Sequence, residues 1–464
     1  MTERTCVSRK MAEGRDHRFL TASPVYTHRV TRPRGPRAAA CVLAMLAAFA
    51  TRAGPSSAAD LEKPAPVFLQ KVLGEGDVVQ IGHEVALATP VRVPPEKLVR
   101  LLADPAAYRR AVPAFVRADP VKADRAEGGQ VGEDDGGGNL YDWELEIPLW
   151  NLEGRLRLEP RADGVDITLV EGDLCPGAFR LRVFPGNTTG TSTLLVAGRA
   201  DLANANWMTR NVARRSPLAP PAMTATAVYV LGRGLALEAE RPGSDPLPER
   251  WPPPRKKAPP ASALSGRPLL EALGARFATA SPGSPSGSAR LGWTDIFAHV
   301  TRRPDGRLHH VTVAAPVSVG MDLALRRANA GERWRALPGW SDLEVKPLPA
   351  PAAPAAEAMW EVDSGLPFVD FDARWRVRFG PRLQGEAVGG DWRGPVLGFE
   401  VAPSGQNPRA SLAALSLHPH IENTGYLPRK LVEAEPLLEH GLALALAYVN
   451  AVSLSQNLGP NETK

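Results

Sequence analysis

The chain repeats itself. At a constant offset of 219 residues, WMTRNVARRSPL (207–218) matches YLPRKLVEAEPL (426–437). The match pairs Arg210 with Arg429, Pro217 with Pro436, Leu218 with Leu437 and Trp207 with Tyr426. Each copy leads into a long apolar run, AMTATAVYVLGRGLAL in the first and LALALAYVNAVSL in the second. The second reads as a helix over 426–454 with Leu438, Leu442, Ala445, Val449 and Val452 on one stripe. A chain that closes two stretches with the same helix must build the same kind of unit twice.

Three further blocks keep the order. HEVALATPVRV (83–93) matches HHVTVAAPVSV (309–319) at an offset of 226. RWRALPGW (333–340) sets Trp334 opposite Tyr108 and Pro338 opposite Pro113. EGDLCPGAFRLRV (171–183) resembles GGDWRGPVLGFEV (389–401), Gly172-Asp173 falling on Gly390-Asp391. Four blocks in one order argue for duplication over chance.

The first unit can be read element by element. Residues 60–78 have no clear period and lead into the fold. Val85, Leu87, Thr89, Val91 and Val93 share one face of an extended run. Prolines then open a helix with Leu98, Leu101 and Leu102 on one face, and Asp104-Pro105 breaks it and starts another. After a polar, glycine-rich loop (121–138), five runs between 139 and 202 alternate apolar with charged residues. Such alternation leaves one sheet face in water, as antiparallel strands do. Residues 242–290 are rich in Pro, Ser and Gly and read as a linker, with a helical turn or two at 268–278 and a solvated basic triplet at Arg255, Lys256 and Lys257. The expected division is a leader at 1–59, domains at 79–241 and 291–455, and a tail at 456–464.

The formal charge of +5 misleads, because ten Lys/Arg and only three acids fall within residues 1–58. Without them 45 basic residues face 47 acidic ones, so no body-wide field argues for nucleic acid. The same leader carries a cationic stretch, the uncharged apolar run AAACVLAMLAAFA (38–50) and small residues near Ala58 and Ala59, the pattern of an export signal. A run of 13 is short for a membrane span, which takes about 20 residues, although an uncleaved anchor is the alternative. Of Cys6, Cys41 and Cys175, only the last would survive cleavage, so the cores are expected to hold by packing alone, with Cys175 a buried small hydrophobe.

Strand, two short helices, about six antiparallel strands and a long helix, twice over, resembles the helix-grip fold of the START-like superfamily. Its members include lipid-transfer domains, polyketide cyclase relatives and coenzyme Q-binding proteins. The local likeness is best in LVRLLADPAAYRRAVP, through Leu98, Leu101, Leu102, Asp104, Pro105, Tyr108, Val112 and Pro113. It spans about 80–245 and 305–455, and the second unit departs from it where GMDLALRRANAGERW lacks the Asp-Pro step. The resemblance implies an α+β fold of two helix-grip domains, each a curved antiparallel sheet closed by its C-terminal helix over an apolar pocket. It would place Tyr108, Trp207, Met223 and Tyr229 near one pocket and Trp334, Tyr426, Leu438 and Tyr448 near the other. The plain alternative for each is core packing.

Catalytic signals are weak. His418-Pro419-His420 sets two imidazoles on an extended segment with no third ligand, so surface histidines are expected rather than a metal. His309-His310 should point to opposite faces of a strand. Asp134-Asp135 sits in the glycine loop, no phosphate loop or nucleophile elbow occurs, and Cys175 has no evident base. His83 and His309 are one histidine per unit. Arg210 and Arg429 put the same cation on both closing elements, either at a cavity mouth facing an anionic headgroup or in a structural ion pair. The expectation is an exported protein that binds or carries a hydrophobic small molecule or lipid, with peripheral membrane contact as an option. No cofactor, metal or nucleic acid is called for. A cyclase- or dehydratase-like enzyme and a non-binding structural module are the alternatives.

Overall fold

The structure, a computed structural model, describes residues 64–121, 139–147, 150–202, 205, 210–211, 214, 216–243, 245–253, 258–279, 295–337, 344–347, 357–366, 369–404, 407–421 and 426–460. In the first repeat, α1 (Ala65–Leu73), β1 (Asp77–Ile81) and β2 (Val85–Val91) lead into α2 (Pro95–Leu102) and α3 (Pro105–Ala111). A meander follows through β3 (Phe115–Pro120), β4 (Leu140–Ile147), β5 (Trp150–Arg161), β6 (Gly164–Gly172), β7 (Gly177–Pro185) and β8 (Ser192–Ala200). Helix α4 (Ala219–Glu240) ends the repeat, and α5 (Leu247–Arg250) and α6 (Arg267–Thr279) lie in the connecting segment.

The second repeat holds β9 (Ile296–Arg302), β10 (Leu308–Val317) and α7 (Met321–Asn329), then a short 3-10 turn at Glu332–Ala336. Its meander is β11 (Glu344–Pro347), β12 (Glu357–Leu366), β13 (Val369–Arg378), β14 (Leu383–Gly390), β15 (Val396–Ser404) and β16 (Asn407–His418). Helices α8 (Tyr426–Ala434) and α9 (Leu438–Leu458) close the chain.

The sixteen strands among the described residues belong to one antiparallel sheet, in the order β11-β12-β13-β14-β15-β16-β10-β9-β1-β2-β8-β7-β6-β5-β4-β3. The last meander strand returns beside its own repeat's hairpin, β8 on β2 and β16 on β10. The repeats join through β1 and β9. Their register pairs Asp77 with Val300, Val79 with Ala298 and Ile81 with Ile296. An offset of 219 maps the first of these pairs onto the last, so β1 and β9 meet about a local two-fold at Val79 and Ala298, as two identical subunits would. Neither strand was foreseen in the sequence. DVVQI and IFAHVTR are too short to show a period, and α1 falls in the same unassigned lead.

Two helix layers sandwich the centre of the sheet. Helix α4 packs on β1, β2 and β8, α9 packs on β9, β10 and β16, and the two helices pack on each other. Val79 and Ile81 belong to the core beneath them. Val78, Phe297 and Ala314 point the other way, into a second core with Leu69 of α1 and Leu269, Leu270 and Leu273 of α6. Coverage on both faces explains why β8 and β10 are buried along most of their length, whereas β14, away from the centre, alternates buried and exposed positions.

Particular bonds recur in both repeats. The Ser192 hydroxyl donates to the Val93 carbonyl at 2.6 Å and the Ser411 hydroxyl to the Val319 carbonyl at 2.8 Å. Tyr108 donates to Leu102 O, and Trp334 donates through Nε1 to Ala328 O, each at 2.9 Å, so the two aromatics tie down their preceding helices alike. In α4, Gly232 permits close approach. A Cβ there would stand 2.6 Å from Leu87 Cδ2 and 2.9 Å from Val196 Cγ2. Cys175 is buried, its Sγ 3.5 Å from the Leu169 carbonyl oxygen.

Candidate functional site

Most of the sequence-derived site residues are found in the two interiors. Tyr108, Tyr229, Trp334, Leu438 and Tyr448 are buried members of the core, and Met223 is half-buried on α4. In the second interior, Trp334 lies 5.2 Å from Trp360 and 5.8 Å from Phe399, centroid to centroid. Trp207 and the side chain of Tyr426 lie outside the described residues, as do Asp134, Asp135 and the triplet at 255–257. Arg210 is half-buried, and its charge favours the ionised form of Asp173, whose carboxyl burial nonetheless pushes up. Arg429 is exposed, 3.8 Å from Glu433 one turn along α8. The duplicated arginines therefore stand in different surroundings.

The histidines depart from expectation. His418 and His420 are buried rather than on the surface, with ring centroids 5.8 Å apart. His309 and His310 do not part to opposite faces, since their Nδ1 atoms lie 2.6 Å apart. The register shift between Leu308 and His310 brings them to the same side. Burial, with the neighbouring His309 and His420 adding to it, pushes His310 and His418 down to about 3. Among the described residues, no three His, Cys, Asp or Glu side chains come together as metal ligands.

A more polar assembly occupies the seam between the repeats. Asp77 of β1 is fully buried. Its carboxylate accepts from the Thr89 hydroxyl at 2.6 Å and the Tyr229 hydroxyl at 2.7 Å, and pairs with Arg302 of β9 at 3.2 Å. Burial opposes the charge, but Arg302, Arg233 and the two hydroxyls outweigh it and hold the carboxyl below its ordinary value. Arg233, on α4 one turn after Tyr229, is 4% exposed, and its Nη1 has no hydrogen-bond partner among the described residues. Burial and the Arg302 charge push its guanidinium below the usual range. Beside them, His440 of α9 stacks on Tyr229 with centroids 5.7 Å apart and meets Trp251 edge-on. Arg307 pairs with Glu439 at 3.1 Å, both almost wholly buried.

This assembly exists on one side of the local two-fold only. The offsets of 219 and 226 carry Asp77, Thr89 and Arg233 onto Ile296, Ala315 and Val452, all buried and apolar. Tyr229 alone keeps its counterpart, Tyr448. The fold can evidently be completed there without charge.

The polar side opens into a cleft of about 640 Å³. Its walls come from the second half of α4, the ends of β1 and β2, the β7–β8 hairpin, α5 and the β9–β10 turn. Six arginines and three carboxylates line it. One carboxylate, Glu240, is engaged by the backbone N–H of Arg92 at 2.9 Å, and Arg250 pairs with the buried Glu238 at 3.3 Å. Asp77, Arg233 and Arg302 went unnoticed in the sequence because they lie far apart in it. Applying the 219 offset to 296–300 would have exposed β1, with Asp77 where its twin has isoleucine.

No family model matches the chain, and no curated protein matches it. Among solved structures it is similar to the di-domain ARO/CYC BexL from the BE-7585A biosynthetic pathway, at 12% identity over 79% of this chain and 98% of that one, with a TM-score of 0.22. It is similar to the di-domain ARO/CYC StfQ from the steffimycin biosynthetic pathway, at 12% identity over 78% and 97%, TM-score 0.23. A START superfamily protein from Mycobacterium smegmatis matches at 16% identity over 34% and 98%, TM-score 0.25. The superpositions are too loose to carry a site or an activity across, and the architecture rests on the strand order itself. No helix among the described residues is long and apolar enough to cross a membrane.

Proposed function

We propose that the protein is a non-enzymatic tandem helix-grip protein that binds or carries a hydrophobic small molecule outside the cytoplasm. The observation that carries this reading is the repeated architecture. In each half a long apolar helix, α4 or α9, lies across the strands of its own meander and hairpin. A curved sheet cannot fill its own concave face, so the helix that covers it decides how much room remains for an apolar guest. Tyr108, Met223 and Tyr229 are the described side chains that would border a guest in the first interior, and Trp334, Leu438 and Tyr448 those in the second. The export pattern in the leader supports the location.

The test is mass spectrometry of the organic extract of protein purified from its native compartment, with N-terminal sequencing of the same sample. A stoichiometric lipid, quinone or polyketide-like species, on a chain beginning near Ala59, is expected. A chain that yields no apolar species, and takes none up on mixing with a lipid extract, would refute the binding reading. An uncut N-terminus would refute the export reading separately.

A further inference from the structure

In the seam between the repeats two buried guanidiniums face one buried carboxylate, with Glu240 acting on both from farther off. Two guanidiniums, Arg233 and Arg302, share the single buried carboxylate of Asp77. Arg302 holds that carboxylate directly, at 3.2 Å. Arg233 is as buried as a core leucine, yet Nη1 has no hydrogen-bond partner among the described residues. An unpaired buried charge is among the most costly features a fold can keep, and apolar replacement commonly relieves it. The twin position shows that this fold accepts the replacement, because Val452 sits there, with Ile296 in place of Asp77. A charge kept against that cost, on the wall of a cleft of about 640 Å³, points to something that enters the cleft and pairs with it.

We propose that the cleft between the repeats binds a small molecule bearing one fixed oxyanion, a phosphate or a carboxylate, received by the guanidinium of Arg233 with Arg302 beside it. The site is distinct from the two interiors, and it stands whether or not they hold an apolar guest. A planar guanidinium suits an oxyanion because it presents paired donors in one plane. The volume exceeds what a bare anion needs and falls in the range of sites for small organic molecules. Trp251 and Leu237 supply apolar wall beside the arginines.

The experiment is isothermal titration calorimetry of the full chain with inorganic phosphate and, separately, with monododecyl phosphate below its micelle concentration. Saturable binding that weakens with added salt is expected. Equal affinity for the two probes would identify a free oxyanion as the natural ligand class, and tighter binding of the ester a headgroup with an apolar tail. Arg233→Met should weaken either probe at least tenfold while the melting temperature stays the same or rises. Asp77→Asn, which keeps the size of the side chain but removes the competing charge, should tighten phosphate severalfold. It serves as the deciding variant if Arg233→Met does not fold. No saturable binding of either probe overturns the proposal. So does undiminished binding by Arg233→Met, or unchanged or weaker phosphate binding by Asp77→Asn.

Discussion

Replacing Asp77 by isoleucine, the residue at its twin position, tests whether the seam is an electrostatic unit. The substitution leaves Arg302 and Arg233 buried without their carboxylate and deprives the Thr89 and Tyr229 hydroxyls of an acceptor. Removing one partner of a buried pair costs about 3–5 kcal/mol, and each hydroxyl left unsatisfied adds about 1 kcal/mol. Asp77→Ile alone should therefore destabilise by about 5–7 kcal/mol. Adding Thr89→Ala, Arg233→Val and Arg302→Met makes this side as apolar as the other. Replacing a whole buried ionic group in this way is commonly neutral or stabilising by about 1–4 kcal/mol, so the quadruple variant should recover most or all of the loss. The assay is equilibrium urea denaturation followed by tryptophan fluorescence, comparing midpoints at constant slope. The signature is non-additivity, an interaction energy of several kcal/mol across the set. A loss below about 1 kcal/mol for Asp77→Ile, or a quadruple variant that loses the sum of its parts, would refute the reasoning.

The remaining predictions concern pH and packing. His310, His418 and His440 are each held near 3 by burial, against 6.5 unfolded, so the unfolded chain binds more protons between those values. Stability should be full above about pH 6.5 and fall towards pH 3, by up to about 1.4 kcal/mol per pH unit for each imidazole, as read from melting temperature against pH. A flat acid limb would contradict it. Glu435 runs the other way: burial raises its carboxyl to about 8 from 4.5, so its contribution is full below 4.5 and is lost as pH rises to 8. Glu435→Gln should flatten that alkaline limb, and an unchanged pH profile would rule the assignment out. At the contact between α4 and α9, a Cβ on Gly441 would stand 2.6 Å from Thr226 Cγ2, so Gly441→Ala should cost about 1–3 kcal/mol. Thr226→Ala should relieve the clash, and a double variant no better than Gly441→Ala would show that the helices do not meet as described.

How much of this was legible beforehand depended on the length of each signal. The meander strands showed themselves because charged or polar residues alternate with apolar ones over about five positions in each of β5, β6 and β7. The closing helices showed themselves by repetition, and so did the shared role of Tyr108 and Trp334, which anchor through bonds of the same length. β1 and β9 did not, because buried strands of five and seven residues carry no period. Helix α6 was foreseen as a turn or two and runs to thirteen residues, stabilised by its fit against α1 and the back of the sheet rather than by strong amphipathicity. The candidate cleft was illegible for a related reason. Its charges come from five separated elements, and only tertiary structure counts Arg233 and Arg302 against one Asp77.

The one-sided seam also says why two such units share a chain. About a true two-fold, every contact occurs twice: if residue i of one subunit meets j of the other, then j meets i. A homodimer pairing through β1 would bury Asp77, Thr89 and Arg233 at both ends of the strand pair, two guanidiniums and two carboxylates in one interface, with His83 where Arg302 stands. The β1–β9 register keeps that geometry, since Val79 and Ala298 still sit at its centre. Fusion lifts the requirement that both ends be alike. Ile296, Ala315 and Val452 can then complete the core at one end while Asp77, Thr89 and Arg233 hold a charged cleft at the other. The apolar end supplies the stability that the charged end gives up, and a single asymmetric site results from a symmetric fold. A chain in which His83→Arg, Ile296→Asp, Ala315→Thr and Val452→Arg restore the symmetry should therefore be less stable than the native protein by several kcal/mol, about the cost of a second buried ionic group. Urea denaturation measures that difference, and a restored chain as stable as the native one would remove the argument for divergence.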